Sequence, residues 1–128
     1  MPTDKKVLAI NNGAYNNCTV EVCEYYGLSH IDLSSSVYKL PDLNKIEETL
    51  KENPNIAMVY TTHHETGTDL LNPIRAIGGL AHEYSSVFVV DTTSLLGMIP
   101  LDIEQDNVDF CMSSAQKGLM LMTGLFFY

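Results

Sequence analysis

Cysteine is scarce in this sequence. The 128 residues contain three cysteines, Cys18, Cys23 and Cys111, and no two of them form a C-x-x-C pair. An odd number of cysteines without paired spacing argues against both a disulfide framework and a structural zinc site. We therefore expect a protein of a reducing compartment, which points to the cytoplasm.

Positive charge is scarce too. Seven Lys and Arg residues face 16 Asp and Glu residues, so the formal net charge at pH 7 is −9. This balance argues against nucleic acid or an anionic membrane surface as a partner. The second half of the chain has only Arg75 and Lys117 as cations. Each of these two residues is therefore a candidate for a specific role.

Long apolar runs are absent as well. The polar segment Met1–Lys6 leads into an apolar run of four residues, Val7–Ile10, which is too short for the core of a signal peptide. No run approaches the roughly 20 residues that a membrane-spanning helix needs, so no membrane partner is expected. With 128 residues and a hydrophobic content of 45%, the chain is expected to form one globular domain with a buried core.

Five short apolar runs alternate with segments of helical periodicity. The runs are continuous rather than alternating, which is typical of strands buried on both faces of a parallel sheet. We therefore predict an α/β fold of three layers, α/β/α, with a mostly parallel sheet. The segment Leu28–Leu33 is a weaker candidate for a further strand. The five predicted strands are Val7–Ile10, Ile56–Tyr60, Val87–Val90, Val108–Met112 and Leu125–Tyr128.

Three helices are predicted between these strands. Asp42 is a typical N-cap, and the apolar residues of the segment after it fall on one helical face. Asn72 and Pro73 indicate the start of another helix, with the asparagine as cap and the proline in the first turn. The third helix is expected over about Asn17–Tyr26, where a glycine follows.

The last predicted strand, Leu125–Tyr128, lies at the end of the sequence. A strand of a parallel sheet is expected to be covered by later elements, and none follow it here. We therefore interpret residues 1–128 as a single, partial domain of a longer protein.

Reactive and polar side chains follow four of the predicted strands. Tyr15 follows the first of them, Thr66 the second, Asp91 the third and Lys117 the fourth. Ligands of open α/β sheets bind beyond the carboxyl ends of the parallel strands. We therefore expect an aromatic ring, a hydroxyl, a carboxylate and an amine on one rim of the sheet.

Taken singly, these residues have ordinary explanations. Asp91 is as typical of a turn or helix-capping residue as of a functional one, and a loop lysine such as Lys117 is more often a solvated cation than a catalyst. Lys117, however, has small and apolar neighbours in the sequence, such as Ala115 and Leu119. Desolvation among them would favour the neutral, nucleophilic amine, as in lysines that attack carbonyl groups.

The adjacent histidines His63 and His64 are candidate metal ligands. Neighbouring residues on an extended segment point in opposite directions, so these two side chains are not expected to bind one ion. We therefore predict no metal site.

The segments after the strands form an ordered set of motifs. They are Asn12-Gly13-Ala14-Tyr15, His63-His64-Glu65-Thr66 with Leu71-Asn72-Pro73, Val90-Asp91, and Ser113-Ser114-Ala115-Gln116-Lys117. In this order and spacing the set resembles the pyridoxal-phosphate (PLP) enzymes of aminotransferase class V. The resemblance extends from about Lys6 to the last residue and implies the α/β/α large domain of that family.

The resemblance implies a role for five residues. Lys117 matches the lysine that bonds covalently to PLP and moves the proton between substrate and cofactor. Asp91 matches the carboxylate that pairs with the pyridinium nitrogen, which keeps the ring an electron sink. Tyr15 matches the aromatic residue that stacks on the ring. Thr66 matches a hydroxyl residue beside the phenolic oxygen, and Gln116 matches a residue near the phosphate.

Within class V, the motifs are most similar to those of 2-aminoethylphosphonate–pyruvate transaminases. This similarity implies a homodimer that moves the amino group of 2-aminoethylphosphonate to pyruvate, giving phosphonoacetaldehyde and alanine. The alternative is an alanine or serine aminotransferase that uses glyoxylate or pyruvate, so the partners are an amino donor and a 2-oxo acid in either case. The family's phosphate-binding segment precedes the region that this chain matches, and its small domain follows that region, so both are expected to be absent from this chain.

One departure from the family pattern concerns the turn after Thr66, where Gly67-Thr68-Asp69 replaces a more usual Thr-Thr-Gly. Two rival classes fit less well. Receiver domains need acidic metal ligands after the first strand, where this chain has Asn11 and Asn12, and cysteine desulfurases stack a histidine where it has Tyr15. A catalytically inactive α/β binding module remains an open alternative.

Overall fold

The fold is built on one twisted sheet and a short hairpin. A computed structural model describes residues 4–127 of the chain. The strands are β1 (Lys6–Asn11), β2 (His30–Ser34), β3 (Ile56–Thr62), β4 (His64–Glu65), β5 (Leu70–Leu71), β6 (Val87–Asp91), β7 (Phe110–Ser114) and β8 (Phe126–Phe127). The main sheet has the order β2-β1-β3-β6-β7-β8, and β4 pairs with β5 in an antiparallel hairpin. The first five strands of the main sheet are parallel, and β8 runs antiparallel to β7.

Helices cover both faces of the sheet. They are α1 (Ala14–Tyr25), α2 (Leu43–Glu52) and α3 (Ile74–Glu83). Successive residues of a strand point to opposite faces, so Leu8 of β1 packs in one core cluster with Ile46 of α2 and Ile77 of α3. Its neighbour Val7 packs on the other face with Cys23 of α1. The predicted three-layer α/β/α architecture with a mostly parallel sheet is therefore confirmed.

The predicted strands agree with the structure where long apolar runs lie at the centre of the sheet. The strands β1, β3 and β6 contain the predicted runs and extend slightly beyond them, and β2 overlaps the weaker candidate at residues 28–33. The fourth predicted strand is present as β7, but its predicted start at Val108 was wrong, because β7 begins at Phe110. Val108 is buried in the core, but its N–H donates to the carbonyl oxygen of Ile103 in a preceding turn.

The last predicted strand is the largest error in the fold. It was expected to be a buried strand of the parallel sheet, whereas β8 is a two-residue strand antiparallel to β7. Leu125 and Phe126 are 55% and 67% exposed. Gly124, with φ 101°, turns the chain back, and the carbonyl oxygen of Leu125 accepts from the N–H of Ala115 at 3.0 Å. Tyr128 lies outside the described residues.

The helix boundaries agree with the predicted caps at the start of α2 and at the end of α1, where Gly27 (φ 63°) follows the C-cap residue Tyr26, but not at the starts of α3 and α1. Asp42 accepts from the N–H of Asn44 at 3.0 Å, so it is the predicted N-cap of α2. The predicted cap Asn72 was wrong, since Pro73 occupies the N-cap position of α3 and the Asn72 side chain is buried elsewhere. The first helix, α1, begins at Ala14, three residues before its predicted start at Asn17.

The sheet order fixes where a ligand would lie. From β1 the chain first adds β2 on one side and then β3 on the other, so the connections leave the sheet in opposite directions at this point. Such a switch opens a crevice at the carboxyl ends of the two strands. Among residues 4–127, no helix has the length and apolar character that crossing a membrane requires.

Candidate functional site

A small cavity of about 50 Å³ lies at the carboxyl ends of the parallel strands. Four of the five residues predicted for the site line it, each from a different part of the chain. Gln116 is exposed and is not among the lining residues, so the structure does not bring it together with the other four. The residues that line the cavity are Tyr15, Thr62, His64, Thr66, Asp91, Thr93, Ser94 and Lys117.

Asp91 is the last residue of β6 and forms one wall of the cavity. Its Oδ1 accepts from the N–H of Thr93 at 2.8 Å, which is the turn geometry that aspartate favours on backbone grounds alone. Its carbonyl oxygen accepts from the N–H of His63 at 2.8 Å. The turn interpretation of Asp91 therefore holds, and the same turn fixes the direction of the carboxylate at the cavity.

The phenol of Tyr60 lies next to this carboxylate. Burial raises the pKa of Tyr60 to about 12, against the opposing effect of Thr19, and the negative charge of Asp91 contributes to the increase. The phenol is therefore protonated at neutral pH, and a proton donor stands beside Asp91. Sequence analysis missed this residue, because a tyrosine within an apolar run is indistinguishable from an ordinary core residue.

Lys117 reaches the cavity from the loop after β7. A close backbone approach positions this loop, since a Cβ added at Gly118 would lie 2.5 Å from the carbonyl oxygen of Leu96. The desolvated environment predicted for Lys117 was wrong for this chain, because its side chain is exposed. Neighbours such as Met120, which is 80% exposed, point into solvent instead of covering the amine.

Tyr15 lies in the first turn of α1, and its ring is 50% exposed beside the cavity. The residue before this helix, Gly13, packs directly on the buried side chain of Glu65. A Cβ at Gly13 would lie 2.2 Å from Cδ of Glu65, so no larger residue fits without a shift. This contact sets the position of the first turn of α1, and with it that of Tyr15.

A buried network of amide side chains joins the loops behind the cavity. Asn12 donates to Oδ1 of Asn72 at 2.8 Å, and Asn16 donates to Oδ1 of Asn12 at 2.9 Å. Asn16 also donates to the hydroxyl of Thr62 at 3.0 Å and accepts from the Thr62 N–H at 2.8 Å. The network connects the loop after β1 with the end of β3 and the start of α3. Sequence analysis missed it because asparagine is common in any turn.

The two adjacent histidines have different surroundings. His63 is buried, and burial lowers its pKa, with a smaller opposing effect of Asp106 and a smaller reinforcing effect of His64. The side chain of His64 lies instead at the cavity wall. Among residues 4–127, no three His, Cys, Asp or Glu side chains are grouped so that they could hold a metal ion.

Comparison with known proteins places this arrangement in a family. The model of the family "Aminotransferase class-V" matches residues 4–125. This chain belongs to the class-V aminotransferases. The resemblance noted in the motifs is therefore confirmed.

Curated class-V relatives match nearly the whole chain. A bifunctional phosphonoacetaldehyde hydrolase/aminoethylphosphonate transaminase from Clostridioides difficile is 39% identical over 124 residues, which cover 97% of this chain and 20% of that protein. A 2-aminoethylphosphonate–pyruvate transaminase from Salmonella typhimurium is 37% identical over 126 residues, which cover 98% of this chain and 34% of that protein. The chain thus spans about a fifth to a third of the length of these relatives.

Solved structures of aminotransferases share the fold. An alanine–glyoxylate aminotransferase from Nostoc sp. aligns with a TM-score of 0.87 at 27% identity, covering 95% of this chain and 32% of that one. A pyridoxamine–pyruvate aminotransferase from Mesorhizobium loti gives 0.85 at 26% identity, covering 97% and 32%. The α/β/α fold expected from the class-V resemblance is therefore confirmed for this chain.

Proposed function

We propose that this chain is the cofactor-binding part of a PLP-dependent aminotransferase that moves the amino group of 2-aminoethylphosphonate to pyruvate. The products would be phosphonoacetaldehyde and alanine. The names of the curated relatives support the reaction. The observation that carries the proposal is the cavity at the carboxyl ends of the strands. Four separate parts of the chain bring Tyr15, Thr66, Asp91 and Lys117 together there.

The chemical types of these four side chains fit the PLP ring. When bound, PLP supplies an electron sink for the substrate carbon that loses a proton. The amine of Lys117 would bond to the cofactor and carry that proton, and the fixed carboxylate of Asp91 would pair with the ring nitrogen. Tyr15 would pack on the ring face, and the hydroxyl of Thr66 would hydrogen-bond to the phenolic oxygen. Gln116 remains a proposed neighbour of the phosphate.

The size and charge of the cavity indicate what this chain leaves to other segments. Ligand pockets commonly measure about 300–1,000 Å³, whereas this cavity measures about 50 Å³. A bound ring would therefore lie across its mouth, with one side open. Lys117 is the only Lys or Arg among the residues that line it, so the phosphate and the acidic group of the substrate need further cations.

The small size of the cavity and its single cation also bear on which chains assemble around the site. We propose that residues 1–128 are one partial large domain of a longer polypeptide. The remaining walls and cations of the site would come from its other segments and from the second subunit of a homodimer. The cytoplasm is the proposed location, because the cysteine content fits a reducing compartment.

A second candidate function has its own support. The structure of an alanine–glyoxylate aminotransferase aligns with 95% of this chain at a TM-score of 0.87, and the chain is 27% identical to it. The donor could accordingly be alanine or serine, with glyoxylate or pyruvate as acceptor. Both candidates use the same cavity and the same lysine, so substrate assays are needed to distinguish them.

Covalent trapping tests the proposed function directly. PLP is added to the purified protein, the product is reduced with borohydride, and the labelled peptides are mapped by mass spectrometry. We expect the pyridoxyl label on Lys117 in the wild type and its loss in Lys117→Arg, whereas Lys45→Arg is the matched control that keeps it. A label on any other lysine in the wild type contradicts the assignment.

Substrate assays on the protein with PLP, before any borohydride treatment, decide between the two candidate functions. Conversion of 2-aminoethylphosphonate and pyruvate to alanine is compared with conversion of alanine and glyoxylate to glycine. Faster turnover of the phosphonate supports the first function, and faster turnover of alanine supports the second. The assay uses the full-length polypeptide, because residues 1–128 alone lack further walls and cations of the site and are expected to be inactive. No turnover of the full-length protein with either pair refutes both functions.

A further inference from the structure

The imidazole of His64 bridges two side chains that come from different loops. Its Nε2 lies 2.8 Å from Oδ1 of Asp69, and its Nδ1 lies 3.1 Å from Oγ of Ser94. The His64 side chain is 12% exposed, whereas that of Asp69 is 97% exposed. Both His64 and Ser94 line the cavity that holds Asp91 and Lys117.

The partner on Nε2 determines the tautomer of the ring. An ionised carboxylate only accepts hydrogen bonds, so the proton of a neutral His64 ring is on Nε2, where it is donated to Asp69. The Nδ1 atom is then an acceptor, and the hydroxyl of Ser94 is the donor. The other acceptor near this hydroxyl is the carbonyl oxygen of His64 itself, at 3.4 Å. In both arrangements the Ser94 proton points towards His64.

Asp69 lies in the turn between β4 and β5, in a backbone conformation that is uncommon for residues other than glycine. Asp69 has φ 59°, in the left-handed region that glycine occupies without strain. Its N–H donates to the carbonyl oxygen of Glu65 at 2.9 Å, which closes the turn between β4 and β5. Asp69 thus adopts a backbone conformation that suits glycine, and its carboxylate contacts His64.

We propose that His64 is a positioning residue of the candidate site, and that it fixes the oxygen of Ser94 as a hydrogen-bond acceptor in the cavity. An oxygen whose proton is donated to His64 presents lone pairs to the cavity. Its partner there is a primary ammonium group, either that of Lys117 before it bonds to PLP or that of the incoming amino donor. The inference rests on the proposed function for its ligand, but the tautomer of His64 does not depend on that function.

The tautomer is measured first. In a nitrogen-15 NMR spectrum of the protein labelled at histidine, the His64 signals are identified by their loss in His64→Asn. We expect Nε2 to carry the proton and Nδ1 to be unprotonated at a pH where the ring is neutral. The Ser94→Ala variant should keep this tautomer, because Asp69 sets it. A proton on Nδ1 overturns the inference, whatever the borohydride experiment on Lys117 shows.

Two substitutions of similar size then separate the two halves of the bridge. An asparagine amide at position 64 reaches about as far as Nδ1 and can still accept from Ser94, whereas a glutamine amide reaches about as far as Nε2 and contacts Asp69 instead. We expect His64→Asn to stay within about twofold of the wild type. We expect His64→Gln and Ser94→Ala to weaken ammonium binding about three- to tenfold, since each removes the fixed acceptor.

The readout identifies which ammonium group is bound. If the donor is the partner, KM for the amino donor rises in His64→Gln while kcat changes little. If Lys117 is the partner, the absorption spectrum of the protein with PLP changes before any donor is added. Equal losses in His64→Asn and His64→Gln, or a double variant His64→Gln/Ser94→Ala worse than either single variant, would show a merely structural role and overturn the inference.

Discussion

Replacing Gly13 by alanine should lower the free energy of unfolding of this chain by more than the replacement of an ordinary surface glycine does. The backbone of Gly13 is extended, at φ 174° and ψ −177°, so an L-residue adopts it without strain. The obstacle is steric. A Cβ there would lie 2.2 Å from Cδ, 2.3 Å from Cγ and 2.6 Å from Oε2 of Glu65.

The expected cost follows from how little room the Glu65 side chain has to move. Carbon atoms in contact are about 3.5–4.0 Å apart, so the methyl group added at position 13 and the Glu65 carboxyl would have to separate by more than about 1 Å. Glu65 is 0% exposed. Overpacking a closed site typically costs about 1–3 kcal/mol, and we expect Gly13→Ala to cost about 3 kcal/mol, at the upper end of that range.

Urea unfolding measures this cost against a matched control. Gly67→Ala places its Cβ 3.4 Å from Oε1 of the same glutamate, an ordinary contact, and keeps the N–H that donates to that oxygen. We expect its effect to stay within about 0.5 kcal/mol. In a double-mutant cycle, Gly13→Ala should cost at least about 1 kcal/mol less in the Glu65→Ala background than in the wild type. Equal costs at both glycines, or additivity in the cycle, would refute the steric argument.

Two further predictions concern carboxylates. In the full-length protein, Asp91→Asn should keep the borohydride label on Lys117 but slow amino transfer about tenfold or more, since the proposed charged partner of the ring nitrogen would be lost. Wild-type rates would leave Asp91 as a turn residue only. Burial raises the pKa of Asp109, but the Phe88 N–H at 2.7 Å and His82 at 2.9 Å outweigh it and hold the pKa below its ordinary value. Because stability is lost as pH falls through a lowered pKa, urea midpoints measured between about pH 5 and pH 3 should fall less in Asp109→Asn than in the wild type. Equal falls in the two proteins would contradict this prediction.

The fold was predictable where continuous apolar runs form strands that are buried on both faces of the sheet. Continuous apolar runs marked the central strands, since strands buried on both faces need no polar positions. The same signal failed at Val108, because a buried turn residue and a buried strand residue have the same composition. The helix-cap pattern failed at Asn72, because its side chain bonds to Asn12, 60 residues away in the sequence, instead of capping the helix beside it.

The candidate site was predictable only as a set of loops. Each of Tyr15, Thr66, Asp91 and Lys117 follows a strand, and a parallel sheet brings the ends of its strands to one edge. The bridge from His64 to Ser94 joins residues 30 positions apart, which no local pattern reveals. The exposure of Lys117 was missed because neighbours in the sequence were taken as neighbours in space.

Tyr15, Thr66, Asp91 and Lys117 come from four different parts of the chain, and this affects how such a site can evolve. Each side chain enters from its own connection, while the strands are joined by backbone hydrogen bonds that do not depend on the identity of the side chains in those connections. One connection can therefore be exchanged for that of a relative without disturbing the ladder of the sheet. Grafting residues 63–72 from an alanine–glyoxylate aminotransferase would alter the cavity wall at His64 and Thr66, and leave Asp91 at the end of β6 and Lys117 in the loop after β7.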